Sequence, residues 1–154
     1  MARQAFFFAA LLLGAAAAIR TWAAAYLGSE VVHDLRLHTE RLVADGPYRY
    51  VRNPLYLGSF LLSIGLGFLA SRVGFFILVV GGAARILRLI GREEENLDQQ
   101  QAERFREFAR IVPRLVPSIS PRLPAAGVDP CWGRAFRAEA SMWGFFVMMG
   151  GAGV

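Results

Sequence analysis

The sequence has one cysteine, two histidines and no lysine among its 154 residues. A lone cysteine, Cys131, excludes a disulfide bond within the chain. His33 and His38 lie five residues apart, which is not the i, i+4 spacing of a metal-binding pair on a helix. Since the sequence also contains no CxxC, no HExxH and no cluster of His and Cys, it predicts no metal site.

Charge is also scarce. Charged residues make up 19% of the chain and hydrophobic residues 55%, and the mean hydropathy is +0.39. These values are high for a soluble domain and ordinary for a small polytopic membrane protein. All 17 basic residues are arginines, and the formal net charge is +5. Because these arginines flank apolar spans, the pattern favours anionic lipid headgroups and excludes nucleic acid as their partner.

Four apolar windows define the predicted fold, at residues 5–27, 55–70, 73–90 and 132–154. A helix needs roughly 20 apolar residues to cross a bilayer, so the second window is short for a span. The first could be taken for a signal peptide, but residues 19–27 extend it, which favours a retained helix. We therefore expect an all-α, polytopic membrane bundle with about four transmembrane helices, formed by residues 1–154 as a single domain.

The arginine distribution predicts the orientation of these spans. Residues 30–54 and 85–122 are rich in arginine, with Arg36 and Arg41 in the first of them, whereas the turn at residues 71–72 has one. The rich segments should face the cytoplasm, across the cytoplasmic membrane if the source is prokaryotic. Apolar residues at helical spacing predict a cytoplasmic amphipathic helix over residues 92–111, ended by Pro113. Five prolines then predict an extended segment before the last span.

Two polar stretches carry the candidate chemistry. Residues 46–58 place two prolines, three tyrosines and two arginines directly before an apolar helix, and residues 92–97 place three glutamates directly after the next one. If the two apolar windows between them form a hairpin, both stretches emerge on the same membrane face. The simpler reading of the glutamates is a solvated group between arginines. The hairpin favours a site instead, in which arginines and tyrosines meet carboxylates.

The two stretches together resemble the superfamily of isoprenylcysteine carboxyl methyltransferases and phospholipid methyltransferases, which are integral membrane enzymes. The resemblance covers residues 42–119, leaving residues 132–154 as an additional C-terminal span. Asn53 stands where the family pattern has histidine. The matching residues are Arg52, Pro54, Tyr56, Gly58, Glu93, Glu94 and Val112-Pro113-Arg114.

The resemblance implies S-adenosylmethionine as the cofactor and a lipid-like or hydrophobic methyl acceptor that arrives from the bilayer. It implies a catalytic role for Arg52, Glu93 and Glu94. An arginine can pair bidentately with the cofactor's carboxylate, and a tyrosine ring can face its sulfonium. The cofactor-binding residues that it implies are Tyr48, Arg49, Tyr50, Arg52, Asn53, Pro54, Tyr56, Gly58, Glu93 and Glu94.

Several functions stay open on the sequence alone. The first is an S-adenosylmethionine-dependent methyltransferase similar to the isoprenylcysteine O-methyltransferases. The others are a phospholipid N-methyltransferase of the phosphatidylethanolamine type, an NADPH enzyme similar to the sterol reductases, and a non-enzymatic membrane scaffold. Small residues near the C-terminus allow close helix packing, which gives the scaffold some support. The sequence leaves open the acceptor atom and the oligomeric state.

Overall fold

The computed structural model of the chain describes residues 2–27 and 45–152, which contain helices and no β-strand. The first helix, α1, runs over Ala2–Leu27, and α2 follows over Pro54–Gly67. The histidines, and the arginines Arg36 and Arg41 on which part of the predicted orientation depends, lie outside the described residues.

The boundaries of α2 and of the helices after it follow from local sequence. Pro54 is the first residue of α2, a position that needs no backbone N–H donor. Ser71 then caps α3 (Arg72–Phe76) by accepting a hydrogen bond from the Gly74 N–H at 3.2 Å. A π-helical segment, Ile77–Gly81, joins α3 to α4 (Gly82–Ile111) without a break. Residues 92–111 are helical as predicted, but they continue α4 without a break and end before Pro113. Their cytoplasmic location stays a prediction.

Helices α1 and α2 pack closely because glycines of α2 face small residues of α1. A Cβ atom added to Gly65 would lie 3.3 Å from the Ala9 carbonyl oxygen. At Gly58 an added Cβ would lie 3.1 Å from the Ala16 carbonyl oxygen and 2.5 Å from Cγ of Arg20. Glycine at both positions therefore lets the two backbones approach, as small residues do in membrane helix pairs.

The predicted fourth span is divided in two. Helix α5 covers Trp132–Ala138 and α6 covers Ala140–Ala152, with Glu139 between them in a non-helical conformation. Glu139 is buried although its neighbours are apolar, and α6 packs back onto α1, where Phe146 contacts Gly14. The Glu139 carboxylate pairs with Arg20 of α1.

Two helical stretches are long and apolar enough to cross a membrane, Arg3–Leu27 and Arg72–Gln100. Helices α2 and α6 are apolar but shorter, with 14 and 13 residues, so four complete spans stay a prediction. Large apolar side chains lie on the outside of these helices, including Phe7, Val73, Ile77 and Val147. Each of these four side chains is about two-thirds exposed, which suits contact with lipid better than contact with water.

Candidate functional site

The site begins in a loop, residues 45–53, that we call the motif loop. Its first part is a 3-10 turn, Gly46–Arg49, capped by the buried carboxylate of Asp45. That carboxylate accepts hydrogen bonds from the backbone N–H groups of Gly46 at 3.0 Å, Ala126 at 3.1 Å and Val128 at 2.9 Å. These bonds, with that of Val128 the strongest influence, lower the pKa of Asp45 below its ordinary value. Asp45 therefore ties the motif loop to a segment about 80 residues further along the chain.

This arrangement predicts an acid-sensitive contribution to stability. The pKa of Asp45 is lower in the folded than in the unfolded protein, so its contribution is present above about pH 3.8 and is lost below that value. Asp45→Asn has a single acceptor oxygen and an NH2 group in place of the other, so it cannot accept all three bonds, and we expect it to cost about 1–3 kcal/mol near pH 7. Thermal melts between pH 3 and pH 7 should show the difference from wild type shrinking as the pH falls. A constant difference would contradict this role.

The motif loop is paired along its backbone with a non-helical segment, residues 113–131, that we call the strap. The Arg52 N–H donates to the Pro113 carbonyl at 2.8 Å, and the Arg122 N–H donates to the Arg49 carbonyl at 2.9 Å. The Arg49 side chain returns the contact, since its Nε donates to the Leu123 carbonyl at 2.8 Å. The prolines predicted an extended segment, and in the structure it is non-helical with several bends. They did not predict its pairing with the motif loop.

A small apolar core holds the strap against the end of α4. It consists of buried Phe105, Phe108 and Val112, with Leu97 and Leu123 packed beside them. Four of these five lie at the helical spacing that predicted an apolar face for residues 92–111. The core therefore explains that face, and it places the strap next to the glutamates of α4.

Glu94 is the centre of the charged part of the site. Its Oε2 lies 2.9 Å from Nη2 of Arg114, and its Oε1 lies 3.0 Å from Nη1 of Arg52. The second contact is an ion pair at an angle that makes no hydrogen bond. Among residues 2–27 and 45–152, the buried atoms Glu94 Oε1 and Arg52 Nε have no hydrogen-bond partner. About 85% of the Arg52 side chain is buried. A buried guanidinium N–H without an acceptor suits an anionic ligand group.

Glu93 takes its partner from the first turn of α2. The Tyr56 hydroxyl donates to Glu93 Oε1 at 2.6 Å. Neighbouring residues of a helix point in different directions, so Glu93 faces Tyr56 while Glu94 faces the arginines. Burial, followed by the negative charge of Glu93, raises the pKa of Tyr48. Tyr48 is therefore a neutral phenol at physiological pH, close to the same carboxylate.

The remaining predicted residues have structural partners of their own. The Asn53 side-chain amide donates to the carbonyl of Arg114 at 3.1 Å, so it holds the strap. The Tyr50 ring lies 6.0 Å from the Trp22 ring. Pro54 is buried at the start of α2, and Gly58 packs against α1. The structure thus pairs Arg52 with Glu94 and Tyr56 with Glu93. The contacts of Arg49, Tyr50, Asn53 and Gly58 are instead with the strap or with α1.

Sequence reasoning missed two features of this region. Arg114 belongs to the quoted Val-Pro-Arg motif, yet its role as second partner of Glu94 was not predicted. The other is an ion pair between Arg20 and Glu139. Arg20 also contacts α2 at Ser59, one turn after Tyr56. The available signal was that both charges interrupt otherwise apolar windows, because a charge in such a helix needs a partner. Within residues 2–27 and 45–152, no group of three His, Cys, Asp or Glu side chains could hold a metal ion.

Comparison with known protein families gives a match to this sequence. The family model for phospholipid methyltransferases matches residues 4–104. The chain belongs to the phospholipid methyltransferase family. The match covers the motif loop, α2 and the glutamates of α4, so the superfamily predicted from the two polar stretches is confirmed. Arg114, the strap and helices α5 and α6 lie beyond the matched segment of this family member.

Two curated proteins are similar to this chain over 101 residues each. The nickel-cobalt-cadmium resistance protein NccN of Alcaligenes xylosoxydans xylosoxydans is 30% identical over 101 residues. The cobalt-zinc-cadmium resistance protein CzcN of Cupriavidus metallidurans is 27% identical over 101 residues. In both cases the match covers 66% of this chain and 44% of the relative, so it spans less than half of each relative's length. No solved structure matches this family member.

Proposed function

We propose that this family member is an integral membrane methyltransferase that uses S-adenosylmethionine to methylate a lipid-like or hydrophobic small molecule. The observation that carries the proposal is the Nε of Arg52, which is buried beside Glu94 where the motif loop meets α4 and has no hydrogen-bond partner in the part of the chain that the structure describes. The family match supplies the reaction class. A scaffold would have no need for a half-satisfied buried guanidinium, because such a group destabilises the fold unless a ligand completes it.

The side chains around this point fit the chemical groups of the cofactor. Arg52 would hold the cofactor's carboxylate, because a guanidinium pairs with that group in a planar, charge-assisted contact. The exposed carboxylate of Glu93 would accept hydrogen bonds from the ammonium or the ribose hydroxyls, and Tyr56 would orient Glu93 through their 2.6 Å hydrogen bond. When bound, S-adenosylmethionine supplies a methyl group on a positively charged sulfonium. Neutral Tyr48 and the tyrosine ring faces suit a nearby cation.

The acceptor follows from the position of the site. Methyl transfer needs positioning and exclusion of water more than proton transfer, and the apolar surface of α1 and α3 gives a hydrophobic acceptor a route from the bilayer. The family match favours a phospholipid acceptor, whose amine would have to lose a proton to react. Glu93 is exposed and could accept that proton. An isoprenylcysteine-type carboxylate acceptor would need no base.

The same proposal assigns a membrane topology. Helices α1 and α3–α4 cross the bilayer, α2 and α6 complete the bundle as short, tilted or embedded helices, and the motif loop and strap face the cytoplasm. This arrangement puts Glu94 and its partners Arg52 and Arg114 at the headgroup level, where a lipid headgroup and a water-soluble cofactor can meet.

The decisive test is ligand binding by the full-length protein in lipid nanodiscs. We expect saturable binding of tritiated S-adenosylmethionine that unlabelled S-adenosylmethionine displaces and NADPH does not. Displacement by NADPH would favour the reductase alternative, and a protein that binds neither ligand would favour the scaffold. Mass spectrometry of lipid extracts from cells with and without the protein would then identify the acceptor, since each transfer adds the mass of one CH2 group.

A further inference from the structure

A buried ion pair joins α1 to the junction between α5 and α6. Arg20 Nε lies 2.8 Å from Glu139 Oε2, and Arg20 Nη2 lies 2.8 Å from Glu139 Oε1, so the contact is bidentate. Both residues interrupt apolar stretches of sequence, and the exposed fraction of the side chain is 7% for Glu139 and 26% for Arg20. Charged groups are costly in such a place, and an apolar pair of similar size would hold the helices equally well. The pair therefore calls for an explanation beyond helix packing.

The remaining nitrogen of Arg20 reaches the first turns of α2. Arg20 Nη1 donates to Ser59 Oγ at 2.6 Å and approaches the Leu55 carbonyl at 3.4 Å. The Ser59 hydroxyl donates to the same carbonyl at 3.0 Å. Gly58 makes room for this contact, because any Cβ there would collide with the stem of Arg20. Arg20 thus binds α2 on both sides of Tyr56, directly before it and one turn after it.

We propose that Arg20 and Glu139 are positioning residues for the cofactor site. Glu139 fixes the guanidinium of Arg20, Arg20 fixes the start of α2, and α2 presents Tyr56 to Glu93. Helices α5 and α6 lie outside the segment matched by the family, yet through Glu139 they set the affinity of the site for its cofactor. The inference rests on the proposed function, because it assumes that Tyr56 and Glu93 belong to a cofactor site.

A neighbouring hydrogen bond provides a matched control. Trp143 Nε1 donates to the buried Thr21 hydroxyl at 2.9 Å. This bond joins α1 to α6, one residue along from Arg20 and one turn along from Glu139, and among the described residues neither Thr21 nor Trp143 forms a side-chain hydrogen bond with α2. Thr21→Val should therefore loosen the same helices without disturbing Tyr56.

The experiment compares three variants of the full-length protein in nanodiscs by thermal melting and by binding of tritiated S-adenosylmethionine. We expect Glu139→Gln to lower the melting temperature and weaken binding about tenfold, because a small displacement of the site is costly. The double variant Arg20→Met with Glu139→Met should regain most of the thermal stability, since it leaves no uncompensated charge. Its binding should stay about tenfold weaker, because α2 has lost its donor. Thr21→Val should melt earlier and bind like wild type.

Hydrogen–deuterium exchange of the ligand-free protein separates this inference from the proposed function. The double variant should exchange faster than wild type at the amides of residues 55–60, and Thr21→Val should not. The inference would be overturned if the double variant bound the cofactor with wild-type affinity, or if its amides exchanged at the wild-type rate. It would also be overturned if the loss of cofactor affinity in the three variants were proportional to the loss of melting temperature. Absence of cofactor binding in the wild type would overturn the proposed function, while the exchange of α2 would still test whether Arg20 and Glu139 hold the start of that helix in place.

Discussion

Arg52→Ala should bind S-adenosylmethionine about a hundredfold more weakly than wild type, the largest loss expected for any single side chain of the site. A hydrogen-bonded contact between charged groups contributes about 1.5–3 kcal/mol, which corresponds to roughly ten- to two-hundredfold in affinity. Arg52 would supply such a contact through its free Nε. The measurement is saturation binding of the tritiated cofactor to the full-length protein in nanodiscs.

The fold should tolerate this substitution. Glu94 keeps Arg114 as a partner at 2.9 Å, so removing Arg52 leaves no isolated carboxylate. The backbone bond from residue 52 to Pro113 does not depend on the side chain. Arg52→Lys should recover only part of the affinity, because an ammonium keeps the charge but loses the planar fork.

The control is an arginine that pairs with a carboxylate on α4, the helix that also carries Glu94. Arg106 pairs with Asp98 through two hydrogen bonds of 2.8 and 3.1 Å, on the exposed side of α4. Arg106→Ala should leave cofactor affinity within about twofold of wild type, because an exposed pair contributes little. Equal losses in Arg52→Ala and Arg106→Ala would indicate a nonspecific effect of charge and would remove the main support for the site.

The sequence predicted the parts of this molecule that depend on local chemistry. Pro54 and Pro113 determine where α2 begins and α4 ends, since proline is accepted in a first turn and not in a helix interior. The meeting of the motif loop with the glutamates also followed, because two apolar segments joined by a short turn return the chain to its starting side. The pairs Tyr56–Glu93 and Arg52–Glu94 are the result.

The parts that could not be predicted depend on tertiary contacts. Arg20 and Glu139 are 119 residues apart, and nothing in the local sequence of either names the other. The strap pairs with the motif loop largely through backbone N–H and carbonyl groups, which almost every residue carries, so sequence gives no signal for that pairing. The resemblance implied that Gly58 binds the cofactor. The close approach in the structure is that of α1, which only the packing of the two helices reveals.

Gly46→Ala should have the largest effect on stability. Gly46 has a φ of +55°, a conformation that costs other residues about 1–3 kcal/mol. An added Cβ would also lie 2.4 Å from ring carbons of Tyr26, which no side chain tolerates without movement. Overpacking of this kind costs about 1–3 kcal/mol more. We therefore expect a loss of about 2–6 kcal/mol in the free energy of unfolding, measured by denaturant titration in detergent micelles.

Gly127→Ala separates the two contributions. Gly127 also has a positive φ, at +78°, but no atom lies within 4 Å of the Cβ position. It should lose only the conformational part, about 1–3 kcal/mol. The excess loss in Gly46→Ala then measures how tightly the motif loop is packed against the end of α1. Because Gly46 begins the turn that leads to Arg52, this excess should be accompanied by weaker cofactor binding, whereas Gly127→Ala should bind more nearly like wild type. Equal losses of stability in the two variants would show that Tyr26 yields to the methyl group and that α1 does not fix the motif loop.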